Sequence, residues 1–111
     1  MSESQYTVAY SPKALDDLRD IYSYIAFSLK VPGTAEKQVN RIRKEVRSLS
    51  SMPQRYAMVD WEPWHSMGMH KLPVDNFMVY YLADADTKSV TVIRIFYGGR
   101  DVEGIINSET E

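Results

Sequence analysis

Between Ser11 and Leu49 the apolar residues fall on two helical stripes, and the breaker Val31-Pro32-Gly33 lies between them. Ala14, Leu15, Leu18, Ile21, Tyr22, Ile25 and Leu29 recur at three- and four-residue steps, and Ala35, Val39, Ile42, Val46 and Leu49 repeat the pattern. Residues so spaced share one face of a helix. Ser11 can cap the first helix through its hydroxyl while Pro12 takes the first helical position, where no N–H is needed. Thr34 is the expected cap of the second helix. Two such helices on a short link fold back on each other and bury both stripes against another layer. The first carries Asp16, Asp17 and Asp20, and the second carries Lys37, Arg41, Arg43, Lys44 and Arg47. These charges are complementary, a screened attraction that biases the helical hairpin without accounting for it.

The other layer is a sheet. Tyr6, Val8 and Tyr10 alternate with Thr7 and Ala9, which predicts a short strand ahead of the first helix. Met67 to Val74 reads as a second strand, and Asp75-Asn76 supplies turn chemistry before a third that begins at Phe77. The run Phe77-Met78-Val79-Tyr80-Tyr81-Leu82 and the run from Val90 to Tyr97 flank an acidic connection and predict a hairpin. The order β-α-α-β-β-β gives an α+β fold, a helical hairpin packed on one face of a mainly antiparallel four-stranded sheet. The opposite face is then available as a rigid binding surface. Trp61 and Trp64, on either side of Pro63, read as a packed loop over an open end of the core more than as ligand-stacking groups. Residues 1–111 form one domain, with a tail expected to fray from about Asn107.

Composition narrows the function. Cysteine is absent, which removes disulfides and thiolate metal sites and leaves the cytoplasm as the expected compartment. No apolar run approaches the roughly 20 residues needed to span a bilayer, so no membrane partner is expected. The net charge of −2 supplies no global field for nucleic acid, and any such contact must be local. His65 and His70 lack the helical pairing of a zinc protease, and phosphate loops, nucleophile elbows and dinucleotide fingerprints are missing. Neither a metal nor a cofactor is expected.

Arg100 follows Gly98-Gly99 at the end of the last strand run, where its planar fork could meet a phosphate or a partner's carboxylate. A salt bridge to neighbouring Asp101 is an equal reading. RNA cleavage would need groups to activate the 2′-hydroxyl and protonate the leaving oxygen, with cations to stabilise the transition state. Lys71, Arg94 and Arg100 could supply the charge, and His70 and Tyr97 are the nearest candidates for proton transfer. Tyr97 packed at a strand end, Arg94 snorkelling from the sheet and His70 as an ordinary surface residue together outweigh a catalytic set. Asp101 and Glu103 are of types that helix ends and turns carry routinely.

The chain resembles the RelE/ParE superfamily of toxins from type II toxin–antitoxin systems. The likeness runs from Tyr6 to about Ile105, through Tyr6 to Leu18, Ile21-Tyr22-Ser23-Tyr24-Ile25, Pro32-Gly33-Thr34-Ala35, Leu49 to Pro53, Met69 to Tyr81 and Val90 to Asp101. The resemblance implies a bacterial cytoplasmic toxin held inactive by a cognate antitoxin. RelE-like members cleave messenger RNA in the ribosome, whereas ParE-like members inhibit DNA gyrase without known hydrolytic chemistry. RelE-like enzymes usually carry an arginine before the Val-Tyr pair of the third strand, where this chain has Met78 before Val79-Tyr80. Lys71 and Arg100 match basic positions of the pattern, Ile105 and Ile106 stand where an RNase often has a tyrosine, and the Gly98 to Asp101 ending is similar to ParE. The resemblance therefore implies a ParE-like, gyrase-directed toxin with Lys71, Arg94, Tyr97 and Arg100 at its target surface. The alternatives are a ribosome-dependent mRNA endoribonuclease using Lys71, Tyr97 and Arg100, and a non-toxic module that only binds antitoxin.

Overall fold

Residues 5–98 and 102–109 are described by a computed structural model. Strand β1 (Thr7–Tyr10) leads into helix α1 (Pro12–Ser23), which continues as a π-helical turn over Tyr24–Ser28. Helix α2 (Pro32–Arg47) follows, then short 3-10 turns at Ser48–Ser50 and Pro53–Arg55 and the single-turn helix α3 (Trp64–Met67). Strands β2 (Met69–Val74), β3 (Phe77–Asp84) and β4 (Ser89–Tyr97) precede helix α4 (Val102–Glu109). The sheet order is β1-β4-β3-β2, with β1 parallel to β4 and the other pairs antiparallel. This is the α+β arrangement that the sequence predicts, with α3 and α4 added.

Ser11 starts α1 as expected. Its hydroxyl accepts from the Ala14 N–H at 3.1 Å and donates to the Ile93 carbonyl at 2.9 Å, tying the helix start to β4. Ala14 and Leu18 are buried, but Leu15, Tyr22 and Leu29 of the same sequence stripe are exposed. The π turn accounts for Leu29. The Leu29 N–H bonds the Tyr24 carbonyl at 3.0 Å, five residues back, and the extra residue per turn shifts the helical phase so that Ile25 and Ala26 face inward. Lys30, at φ 62, then stops the helix in the left-handed conformation while the Val31 N–H reaches the Ile25 carbonyl at 3.1 Å. Helix α2 begins at Pro32, not at a Thr34 cap. Val31 holds the cap position without a side-chain bond, as an apolar side chain has no acceptor to offer, and Pro32 at the first helical position pre-sets φ for the helix.

Ile42, Val46 and Leu49 from the second half of the hairpin meet Leu72, Val74, Val79, Tyr81, Val90, Val92 and Ile95 on one sheet face. The complementary helix charges do not meet. Among the described residues Asp16 pairs with Arg19 on its own helix, Asp17 with Arg94 and Arg41 with Asp75. The opposite face, expected to be available, is largely covered. Val59 and Trp64 from the loop and Val102 and Ile106 from α4 pack there on Met69, Tyr80 and Phe96. Strand β3 carries large apolar side chains on both sides, and an uncovered second face would leave them in water. Helix α4 continues to Glu109. The outer edge of β2 is protected too: Val59 N–H bonds the Met69 carbonyl and Lys71 N–H the Ala57 carbonyl, both at 2.9 Å.

Candidate target-binding surfaces

The register sorts the residues singled out in the sequence. Lys71 pairs with Tyr80 and Tyr80 with Arg94, so the three form one lateral row on the loop-covered face. Val74, Phe77 and Tyr97 form another row, on the helical face. Successive side chains along a strand alternate faces, so Lys71 and Tyr97 lie on opposite sides of the sheet. Tyr97 is 57% exposed, and its ring stands edge-on to Phe77 at 5.6 Å. Lys71 is half-buried with no ion pair among the described residues. Arg100 and Asp101 lie outside the described residues, and Glu103 is exposed on α4.

Arg94 is committed within the fold. Its Nε donates to Asp17 Oδ2 at 2.8 Å and its Nη2 to Asp17 Oδ1 at 2.9 Å, with both side chains nearly buried. The same carboxylate accepts the Ile95 N–H at 2.9 Å. Strand β1 pairs with β4 only as far as Val92, and beyond it Asp17 takes over as acceptor for the exposed edge. The guanidinium also lies 4.4 Å from the centre of the Phe96 ring. Asp17 is buried rather than one of the exposed helix charges, and its spacing signals this. Ala14, Asp17, Leu18 and Ile21 follow the three-, four- and seven-residue steps of an inward face, where a carboxylate needs a cation.

His70 is not the surface residue that the sequence suggests. It is buried, stacked on Tyr81 at 5.3 Å, with Nδ1 2.9 Å from the Gly68 carbonyl. His65 Nδ1 is likewise 2.8 Å from the Val59 carbonyl. Tyr80, between Lys71 and Arg94, has its phenol pushed above the ordinary range by burial. Trp64 is buried and Trp61 packs beside it, matching the packing role expected of both. No group of acids and histidines suited to a metal occurs among the described residues.

A groove of about 700 Å³ opens on the helical side, where β4 continues past the end of β1. Asp20, Tyr24 and Leu29 line one wall and Asn76, Phe77 and Tyr97 another. Arg94 and Asp17 reach it as a pair, so Asp20 supplies the groove's uncompensated charge among the described residues.

Three solved structures share this architecture. A chain of the chromosomal ParDE toxin–antitoxin system of P. aeruginosa is 23% identical with a TM-score of 0.69, over 86% of this chain and 98% of that one. A chain of the RelBE2 toxin–antitoxin complex of Mycobacterium tuberculosis is 18% identical with a TM-score of 0.63, over 86% and 94%. An E. coli RelE toxin variant in the free state is 12% identical with a TM-score of 0.67, over 96% and 97%. At these identities the likeness is one of fold. No curated protein matches the chain by sequence. The pattern of the ParE toxin of type II toxin–antitoxin systems, parDE, matches residues 8–102, from β1 through the end of β4, and the chain belongs to that family.

Proposed function

We propose that this toxin arrests growth by binding DNA gyrase without hydrolytic chemistry, and that a cognate antitoxin neutralises it in the cytoplasm. The observation that carries the non-hydrolytic reading is the dispersal of the groups an RNase would need. Lys71 and Tyr97 lie on opposite sheet faces, Arg94 is locked by Asp17, and His70 is buried against Tyr81. General acid–base catalysis requires its groups within hydrogen-bond reach of one reacting centre, which this arrangement does not provide. Met78 also stands where an RNase relative usually carries a cation, and it packs beside Tyr80 and Phe96. Lys71, Tyr97 and, by its place in the sequence, Arg100 are the contacts this reading assigns to the target. Antitoxin binding is supported by family membership and by the solved toxin–antitoxin complexes that share the fold.

Purified toxin should inhibit gyrase supercoiling, and Lys71→Ala and Arg100→Ala should each weaken that inhibition at unchanged melting temperature. Translating ribosomes exposed to the same protein should keep their messenger RNA intact. Codon-specific cleavage abolished by Lys71→Ala would establish the enzymatic reading instead. Failure of the neighbouring gene product to co-purify or restore growth would remove the antitoxin.

A further inference from the structure

The groove beside β4 has the three components of a peptide site. The first is an open strand edge. Gly98 N–H bonds the Asn76 carbonyl, and the Val79–Ile95 and Phe77–Tyr97 pairs are therefore the non-hydrogen-bonded ones. Their backbone groups point away from β3, as the Ile95 N–H on Asp17 demonstrates. The Ile95 carbonyl and the N–H and carbonyl of Tyr97 thus face the groove, without a partner among the described residues. The second component is aromatic. Tyr97 and Phe77 meet at 81° and make a corner, while the π turn carries Tyr24 outward to 59% exposure on the facing wall. The third is the Asp20 carboxylate, exposed and free of any ion pair among the described residues.

From these we infer that the groove binds an extended basic segment of a partner polypeptide. The segment adds as a strand along the end of β4 and sets an arginine or lysine between Asp20 and the aromatic walls. Backbone pairing supplies affinity in this mode and side-chain pockets supply selectivity. A cation suits the walls because ring faces attract it and the carboxylate adds a charge-assisted bond. An acidic segment would meet Asp20 unpaired. The volume, about 700 Å³, fits several residues of peptide better than one side chain. This inference does not depend on gyrase being the target.

The test uses ¹⁵N-labelled toxin titrated with acetyl-Leu-Arg-Val-Arg-Leu-amide and with the same peptide carrying Glu for Arg. The basic peptide should shift the amide resonances of Asp20, Tyr24 and Tyr97 and slow exchange of the Tyr97 amide at least tenfold at saturation. Asp20→Asn should weaken it about tenfold, the worth of one charge-assisted hydrogen bond. Asp20→Lys should reverse the preference towards the acidic peptide. Equal binding of both peptides, shifts centred elsewhere, an unprotected Tyr97 amide or no binding at all would each overturn the inference. Circular dichroism of the Asp20 variants confirms that any loss is not unfolding.

Discussion

Among the described residues, removing Asp17 should be one of the costliest single changes of a charged side chain. Its carboxylate takes three hydrogen bonds, two from Arg94 and one from Ile95, with both side chains close to 10% exposed. Asp17→Ala takes from a nearly buried guanidinium the carboxylate that accepts two of its hydrogen bonds, and from the Ile95 N–H its acceptor. Breaking a buried pair by removing one partner costs about 3–5 kcal/mol. For a chain of 111 residues the unfolding entropy is about 0.23 kcal/mol/K, so the melting temperature should fall by about 13–22 °C. Asp17→Leu with Arg94→Met should recover most of that, keeping a deficit of about 1–3 kcal/mol for the orphaned Ile95 N–H. Urea unfolding of the parent, both single variants and the double variant gives the coupling directly. A loss below about 1 kcal/mol in Asp17→Ala would refute the reasoning, since a pair worth so little behaves as an exposed one. The same series decides how toxicity data on Arg94 are read: a non-toxic Arg94→Ala that melts far below the parent has lost its fold, not a target contact.

Ser11→Ala should destabilise by about 1–2 kcal/mol in the same urea assay, because one hydroxyl both caps α1 and bonds the Ile93 carbonyl. Burial raises the Tyr81 phenol well above its ordinary value despite the opposing charge of Arg55, and its hydroxyl donates to the Pro53 carbonyl. The fold therefore favours the neutral phenol, and this stability is complete below pH about 10 and lost as pH rises through and beyond it. Tyr81→Phe should flatten that alkaline decline while costing about 1–2 kcal/mol at neutral pH, measured by melting across pH. Arg41 and Asp75 form a well-aligned but exposed pair, so Asp75→Asn should shift the melting temperature only slightly, and less still in high salt.

The parts of this fold that local chemistry dictates were legible in the sequence. Ser11-Pro12 begins α1, Pro32 breaks the hairpin, and Asp75-Asn76 turns the chain into β3 at Phe77. What was not legible depended on pairing between distant segments. The cover on the second sheet face joins Val59 and Trp64 to Val102 and Ile106, residues far apart in the chain that local period does not connect. The π turn is a one-residue departure inside an otherwise regular stripe. The placement of Lys71 and Tyr97 on opposite faces has a related cause. Strict alternation along β4 would place Val92, Arg94 and Phe96 on one face. The register instead moves from Tyr81–Val92 to Tyr80–Arg94, so Ile93 is an extra residue opposite the partner strand. That bulge turns Val92 towards the helices and Phe96 away from them, and returns Ile95 and Tyr97 to the helical side. It also leaves the Ile93 carbonyl for Ser11 and the Ile95 N–H for Asp17. One inserted residue thus fixes the face each later side chain serves, and with it the separation of Tyr97 from Lys71.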